Sequence, residues 1–241
     1  MQVVGRPSLR RDAASAARLL SAGITAGFVV GLLVGGIGGR LAMFVLRVTS
    51  DPSLTGLETD DGFTIGAFTG ATLFLILLAT VVGVWSGFVY IGVRGWFPRA
   101  ARPWVFGALA ATVGGALLIR PEGIDFTALA PLWLAVLMFV AIPAAYGVGI
   151  PLLTERLISD DSSFGRSSVW IAGLVVATPV LVIVPPAAAV VAAVALALAI
   201  GRERLVALWS SNPASWLGRA AIAAIAAVGA LLLVRDVSHV L

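Results

Sequence analysis

Seven apolar segments limit this chain to one class of fold. Several of them reach the roughly 20 residues that an α-helix needs to cross a hydrocarbon core about 30 Å thick. They cover residues 19–46, 64–93, 103–119, 131–153, 168–184, 187–200 and 215–234. Charged residues make up 12% of the 241-residue chain, about half of the roughly 25% that soluble domains carry. The sequence therefore predicts an all-α, polytopic transmembrane helix bundle in contact with the lipid bilayer.

The number of spans depends on residues 168–200, which are largely apolar and contain Pro185 and Pro186. A single helix of that length would measure about 50 Å, well beyond the bilayer core. The double proline favours a hairpin of two short spans, because proline cannot donate a helical hydrogen bond. This gives seven spans. The alternative is six spans, with 168–200 as a kinked or partly re-entrant unit. Ser211 and Pro213 predict an N-cap and a first-turn proline for the last span.

All 16 basic residues are arginines, and the seven-span model sorts them by side. Twelve arginines and five acids fall on the side of the N-terminus, against four arginines and seven acids on the other. The arginine excess predicts a cytoplasmic, basic segment 1–18, followed by one transmembrane domain, 19–241. The same arginine excess accounts for the pI near 10.9, so the basic composition does not indicate a nucleic-acid partner. The lysine-free, Ala-, Val-, Gly- and Arg-rich composition is typical of high-GC bacteria, which predicts a bacterial plasma (inner) membrane protein.

Missing residue types exclude several kinds of chemistry. Without lysine the chain has no Schiff base, and without cysteine it has no thiolate nucleophile, iron–sulfur cluster or thiolate metal site. The single histidine, His239, disfavours a Ser-His-Asp triad and bis-histidine haem ligation. The sequence predicts no cofactor and no catalytic site, and it argues against an enzyme.

Five glycines recur at four-residue spacing in the first apolar segment. They are Gly23, Gly27, Gly31, Gly35 and Gly39. Small residues at this spacing let helices pack closely in a membrane. We interpret this glycine zipper as packing within one bundle; the alternative is a helix that lines an oligomeric pore. Four-residue spacing drifts by about 40° per step on an α-helix, or about 160° over the stripe. We therefore expect the helix to bend or two neighbours to share the glycines.

Arg40 and Arg47 are the candidate buried charges. Their seven-residue separation puts them about 20° apart on one helix face. Because the residues between them are apolar, we expect Arg40 to lie below the headgroups, where an arginine is costly and indicates a functional site. The alternative, favoured for Arg47, is a snorkelling side chain that ends a long tilted helix. The candidate acidic partners of Arg40 are Asp51, Glu58, Asp60, Asp61, Glu122 and Asp125.

Two outer loops, near 48–63 and 120–130, hold the other candidate site residues. They are Glu58, Asp60, Asp61, Arg120, Glu122 and Asp125. The acids of the first loop supply the oxygen ligands that Mg²⁺ or Ca²⁺ prefers. Asp61 and Asp125 also precede predicted spans, where a carboxylate caps a helix N-terminus. We favour capping, so no metal site is predicted.

Two classes of function fit these features better than an enzyme does. We expect a non-enzymatic membrane protein that acts in helix packing, as an accessory component, or by binding a membrane-protein partner or a second copy. The alternative is a small transporter or channel, in which Arg40, Arg120 and the outer acids form an outward-facing site.

Overall fold

The computed structural model describes residues 9–58, 64, 67–159, 161–166, 171, 175 and 207–241. Within these residues the chain is mostly helical and forms no strand. The helices are α1 (Leu9–Val30), α2 (Gly39–Thr49), α3 (Gly70–Val93), α4 (Arg102–Leu118), α5 (Ile124–Thr127), α6 (Leu132–Leu157), α7 (Ser163–Arg166) and α8 (Asn212–Val240). A π-helix, Gly31–Gly38, joins α1 to α2 as one continuous helix.

In the described part of the chain, five helices are long and apolar enough to cross a membrane, which supports the predicted membrane bundle. The candidate spans are Ser15–Thr49, Gly70–Trp96, Arg99–Leu118, Leu132–Leu157 and Asn212–Val240. Each coincides with one of the apolar segments of the sequence. Of the other two predicted spans, 168–184 and 187–200, the structure describes only residues 171 and 175, so the count of seven stays a prediction.

The last helix begins where the sequence predicts. Ser211 precedes α8, and its hydroxyl accepts the Ala214 N–H at 3.4 Å. Pro213 lies in the first turn, where its missing N–H costs no helical hydrogen bond. The predicted N-cap and first-turn proline are therefore confirmed.

The second span begins later than the sequence suggested, at Gly70 rather than near residue 64. The backbone of Thr69 is extended, and the Thr72 hydroxyl accepts the Thr69 N–H at 3.4 Å. A threonine side chain that bonds a nearby backbone N–H in this way favours a helix start. The N-cap of this helix is therefore Thr69, and Asp61, the predicted cap, lies outside the described residues.

The long helix formed by α1, the π-helix and α2 lies between two neighbours, α3 and α6. Its glycines meet α3 in antiparallel order. A Cβ added at Gly27 would overlap the Gly83 carbonyl, and one at Gly31 would lie 2.6 Å from the Ala79 carbonyl oxygen. The α6 side is packed through Val30, which lies against Gly149. The two backbones of α1 and α3 are thus in direct contact, which only glycine permits.

The π-helix explains how the later glycines stay near α3. A π-helix bonds residue i to i+5 and so winds with more residues per turn than an α-helix. Its residues Gly35 and Gly36 still approach α3, at Ala79 and Ile76, and Gly35 also faces the Tyr146 ring of α6. Gly39 has left the contact, because a Cβ there would meet nothing within 4 Å. The first four glycines of the stripe therefore lie against α3, and Gly35 contacts both neighbours.

Further glycines bring α4 close to α6 and α8. Gly147 of α6 lies against the Phe106 backbone of α4, and Gly107 lies against Val148. Gly229 of α8 meets the α4 backbone at Thr112. Small-residue packing therefore extends beyond α1 and holds the outer helices of the described bundle.

The described bundle has two chemically different ends. At one, here called the basic end, α1, α4 and α8 begin and α3 and α6 end. Arginines at this end include Arg18, Arg94, Arg99, Arg102, Arg156 and Arg219. The other, here called the far end, has an apolar core formed by Leu46, Ile119, Phe126, Leu129, Ala135 and Val240.

Trp96 ties α8 to α3 at the basic end. Its indole N–H donates to the Trp209 carbonyl at 3.2 Å, and the Trp209 indole donates to the Gly92 carbonyl at 2.6 Å. Arg219 Nε donates to the Trp96 carbonyl at 2.5 Å. The Trp96 ring lies directly on Gly218, where a Cβ would overlap its carbon atoms. The absence of a side chain at this glycine makes room for the indole.

Replacing that glycine tests the packing of α8. We expect Gly218→Ala to displace the Trp96 ring and to lower stability by about 1–3 kcal/mol, the usual effect of overpacking. Gly92→Ala is the matched control, because its Cβ would meet nothing within 4 Å; it should leave stability unchanged or raise it by up to about 1 kcal/mol. Unfolding in detergent, followed by tryptophan fluorescence, measures both. Equal stability of the two variants would contradict the described contact.

Candidate functional site

The densest polar cluster lies at the basic end and joins three helices. It consists of Tyr90 and Arg94 at the end of α3, Arg102 at the start of α4, and Glu155 near the end of α6. Glu155 Oε1 accepts from Tyr90 Oη at 2.6 Å, from Arg94 Nε at 2.9 Å and from Arg102 at 2.7 Å. Glu155 Oε2 accepts from a second Arg94 nitrogen at 2.9 Å. We call these four residues the Glu155 cluster.

Two residues of the Glu155 cluster are buried, whereas the side chains of Arg94 and Glu155 are 18% and 24% exposed. Tyr90 is fully buried and packs edge-on against the Phe106 ring, with ring centroids 5.0 Å apart. Arg102 is also buried, and its Nε donates to the Phe97 carbonyl at 3.1 Å. Charge-assisted, bidentate bonds of this kind are the strong ones. Since four donors already occupy the carboxylate, the cluster is suited to joining α3, α4 and α6 rather than to acid–base chemistry.

The sequence placed Arg94, Arg102 and Glu155 on the cytoplasmic side only as part of the charge count. Their meeting was missed because 53 to 65 residues separate the partners along the chain. One local signal was present: Tyr90 and Arg94 are four residues apart and so share a helix face.

Arg40 is part-buried and lies at the start of α2, about 14 Å along the helix axis from its last residue, Thr49. Among the described residues its hydrogen-bond partners are the Ala67 carbonyl, at 3.2 Å, and the Met43 sulfur, at 3.4 Å. Both acceptors are neutral. The guanidinium is thus held by α2 and by the residues just before α3, and not by one of the described carboxylates.

The remaining candidates are spread over the far end. Arg47 is half-buried in the last turn of α2, where a cation is favoured by the helix dipole. Glu58, Arg120 and Glu122 are exposed, and Asp125 lies in the first turn of the short helix α5, after its N-cap Gly123. Asp60 and Asp61 lie outside the described residues. Among the described residues, no three metal-ligating side chains form a cluster.

Three hydrogen bonds order the polar residues after α2. The Ser50 hydroxyl accepts the Ala130 N–H at 2.8 Å and donates to the Leu46 carbonyl at 2.7 Å, so it links α2 to the segment before α6. Asp51 Oδ1 accepts the Ser53 N–H at 2.8 Å. That bond favours the ionised carboxylate and lowers the pKa of Asp51. Asp51 is therefore engaged locally rather than with Arg40.

Comparison with known proteins finds no matching family model, no matching curated protein and no matching solved structure. The proposals below therefore depend on the geometry of this chain alone.

Proposed function

We propose that the chain is a non-enzymatic integral membrane protein of the bacterial inner membrane that binds a partner within the bilayer. One observation supports this most directly. Ile37, Leu41, Phe44 and Val48 form a row along one face of the π-helix and α2, and each is 42 to 59% exposed. We call this row the α2 stripe.

The spacing of the α2 stripe is that of a helix-contact seam. Its residues are four, three and four positions apart, and the three that lie in α2, Leu41, Phe44 and Val48, fall within an arc of about 60°. This alternation is the a/d pattern by which helices pack side by side. Lipid also covers exposed apolar faces, but the α2 stripe differs from a plain lipid face because Arg40 and Arg47 follow one of its edges.

The ends of the helices support seven spans rather than six. α6 ends at the basic end, where Glu155 bonds α3 and α4, and α8 begins there, where Trp209 bonds α3. A chain that leaves and re-enters a bundle on one side crosses the bilayer an even number of times in between. The hairpin proposed for 168–200 meets that condition. The arginine excess then places the basic end and the N-terminus in the cytoplasm.

Site-specific crosslinking tests partner binding. A photoreactive residue at Leu41 should form one discrete crosslinked species in membranes of the native host. The same residue at Leu231, a 72% exposed position of α8, is the matched lipid-facing control and should give none. Because the chain has no cysteine, Phe44→Cys alone then shows whether the neighbour is a second copy, which would appear as a disulfide-linked dimer. Equal, diffuse labelling at Leu41 and Leu231 would contradict the proposal.

A second candidate function, a small transporter or channel, is favoured by polar groups beside the π-helix. Tyr146 Oη of α6 donates to Ser86 Oγ of α3 at 3.1 Å, and the Tyr146 ring faces Gly35. π-helical segments occur frequently at functional sites. Under this proposal, proteoliposomes would show solute flux that Arg40→Ala abolishes. No flux for anions, zwitterions and small cations would exclude it.

A further inference from the structure

The two arginines beside the α2 stripe identify the kind of partner that this face fits. Arg40 lies about 100° and Arg47 about 120° from Leu41 around α2, both on the side of Phe44. Both therefore line one edge of the stripe, one heptad apart. In paired helices, charged residues at the edges of an apolar seam set the choice and orientation of the partner.

Arg40 has donors to spare at this edge. A guanidinium carries five N–H groups, and the bonds of Arg40 to described residues go to the Ala67 carbonyl and the Met43 sulfur. Neither acceptor carries a charge. A cation inside the bilayer pairs with charged side chains or with backbone carbonyls. Arg40 has one carbonyl partner, Ala67, and a carboxylate would match the planar fork of its guanidinium through two parallel hydrogen bonds.

A second copy does not supply that carboxylate. Two copies in the same membrane orientation, related by a twofold axis, would place the arginine edge of one stripe against the opposite edge of the other. That opposite edge carries Gly38, Val45 and Thr49, none of which is acidic. The symmetric pair would therefore leave both Arg40 side chains uncompensated.

We infer that the α2 stripe binds a transmembrane helix of a different protein, one that presents a carboxylate to Arg40 in its outer third. The apolar side chains supply packing, and the ion pair supplies register and selectivity. This inference rests on the proposed partner-binding function and adds the chemistry of the partner.

Synthetic helices provide the probe. One peptide is a 24-residue Leu/Ala transmembrane helix with a single Asp in its outer third, and its twin carries Asn instead. The full-length protein is labelled at Ser53→Cys, an exposed position at the far end, and binding is measured by energy transfer in vesicles of zwitterionic lipid. We expect the Asp peptide to bind at least ten-fold tighter than the Asn peptide, which corresponds to about 1.4 kcal/mol.

Variants assign this preference to Arg40. Arg40→Gln should remove it, and Arg40→Lys, which keeps the charge without the planar fork, should retain part of it. Arg99→Gln, at the basic end, is the matched control and should bind both peptides as the wild type does. Thermal unfolding of each variant confirms that it is folded; if Arg40→Gln does not fold, the comparison of Arg40→Lys with the wild type carries the test.

Three results would overturn the inference. The first is equal binding of the two peptides to the wild type. The second is a preference that survives Arg40→Gln. The third is a preference that emerges only after Asp60→Asn and Asp61→Asn, since the chain's own loop would then occupy the site. A discrete crosslink at Leu41 together with equal peptide binding would refute the inference that the partner presents a carboxylate. The proposed partner binding would remain intact.

Discussion

Gly27→Ala is expected to separate α1 from α3 and to lower the free energy of unfolding by about 3 kcal/mol, near the upper end of overpacking effects. The new methyl group would overlap the carbonyl oxygen of Gly83, and its other near neighbours are the carbonyl carbon of Gly83 and the Cα of Val84. Backbone atoms cannot move aside as the end of a flexible side chain can. The helices must therefore shift apart along their whole contact.

Gly39→Ala is the matched control, because it makes the same chemical change in the same long helix. Its backbone is helical, with φ −60° and ψ −42°, and an added Cβ would meet nothing within 4 Å. We expect a gain of about 0.5–1 kcal/mol from the better helix propensity of alanine. Unfolding with a denaturing detergent, followed by circular dichroism, compares the two. If Gly27→Ala were as stable as Gly39→Ala, the close contact between α1 and α3 would be refuted.

Glu155→Ala is expected to lower the free energy of unfolding by about 3 kcal/mol, the second large effect. The substitution removes the common acceptor of Tyr90, Arg94 and Arg102, of which Tyr90 and Arg102 are buried. Breaking a buried ion pair costs about 3–5 kcal/mol, and the lower value applies because the Glu155 side chain is 24% exposed. Glu155→Gln keeps the shape and one acceptor oxygen, so its loss should be intermediate.

Arg156→Ala controls for the removal of a charge at the same end of α6. Its side chain is exposed, so the effect should stay within about 0.5 kcal/mol. A double-mutant cycle of Arg94→Ala with Glu155→Ala then measures their coupling directly. Additive effects of the two substitutions would show that the described bidentate bond contributes nothing to stability.

The positions of the helices were predictable because hydropathy alone determines which stretches enter a bilayer. Helix boundaries were harder to predict from the sequence where local hydrogen bonds determine them. Ser211 and Pro213 were recognisable as a helix start, but the start of α3 depends on the Thr72 hydroxyl, and the apolar pattern continues through Ile65 without a break.

The site was harder to predict than the fold because its contacts are distant in sequence. The glycine spacing indicated crowding around α1, but it did not indicate the π-helix, in which Gly35 and Gly36 remain near α3. The Glu155 cluster was likewise invisible, since its partners belong to three helices. The apolar residues that flank Arg40 were enough to make it a candidate site residue. Its hydrogen bond to the Ala67 carbonyl could not be predicted from the sequence.

The central claim, that the α2 stripe is covered by protein in the native membrane, is tested most directly by the lipid accessibility of a spin label at Phe44. In vesicles of pure lipid, the label should be as accessible to oxygen as a label at Leu231, since both side chains are exposed in the structure. In host membranes the Phe44 label should become protected while the Leu231 label does not. Equal accessibility of the two labels in host membranes would contradict the claim.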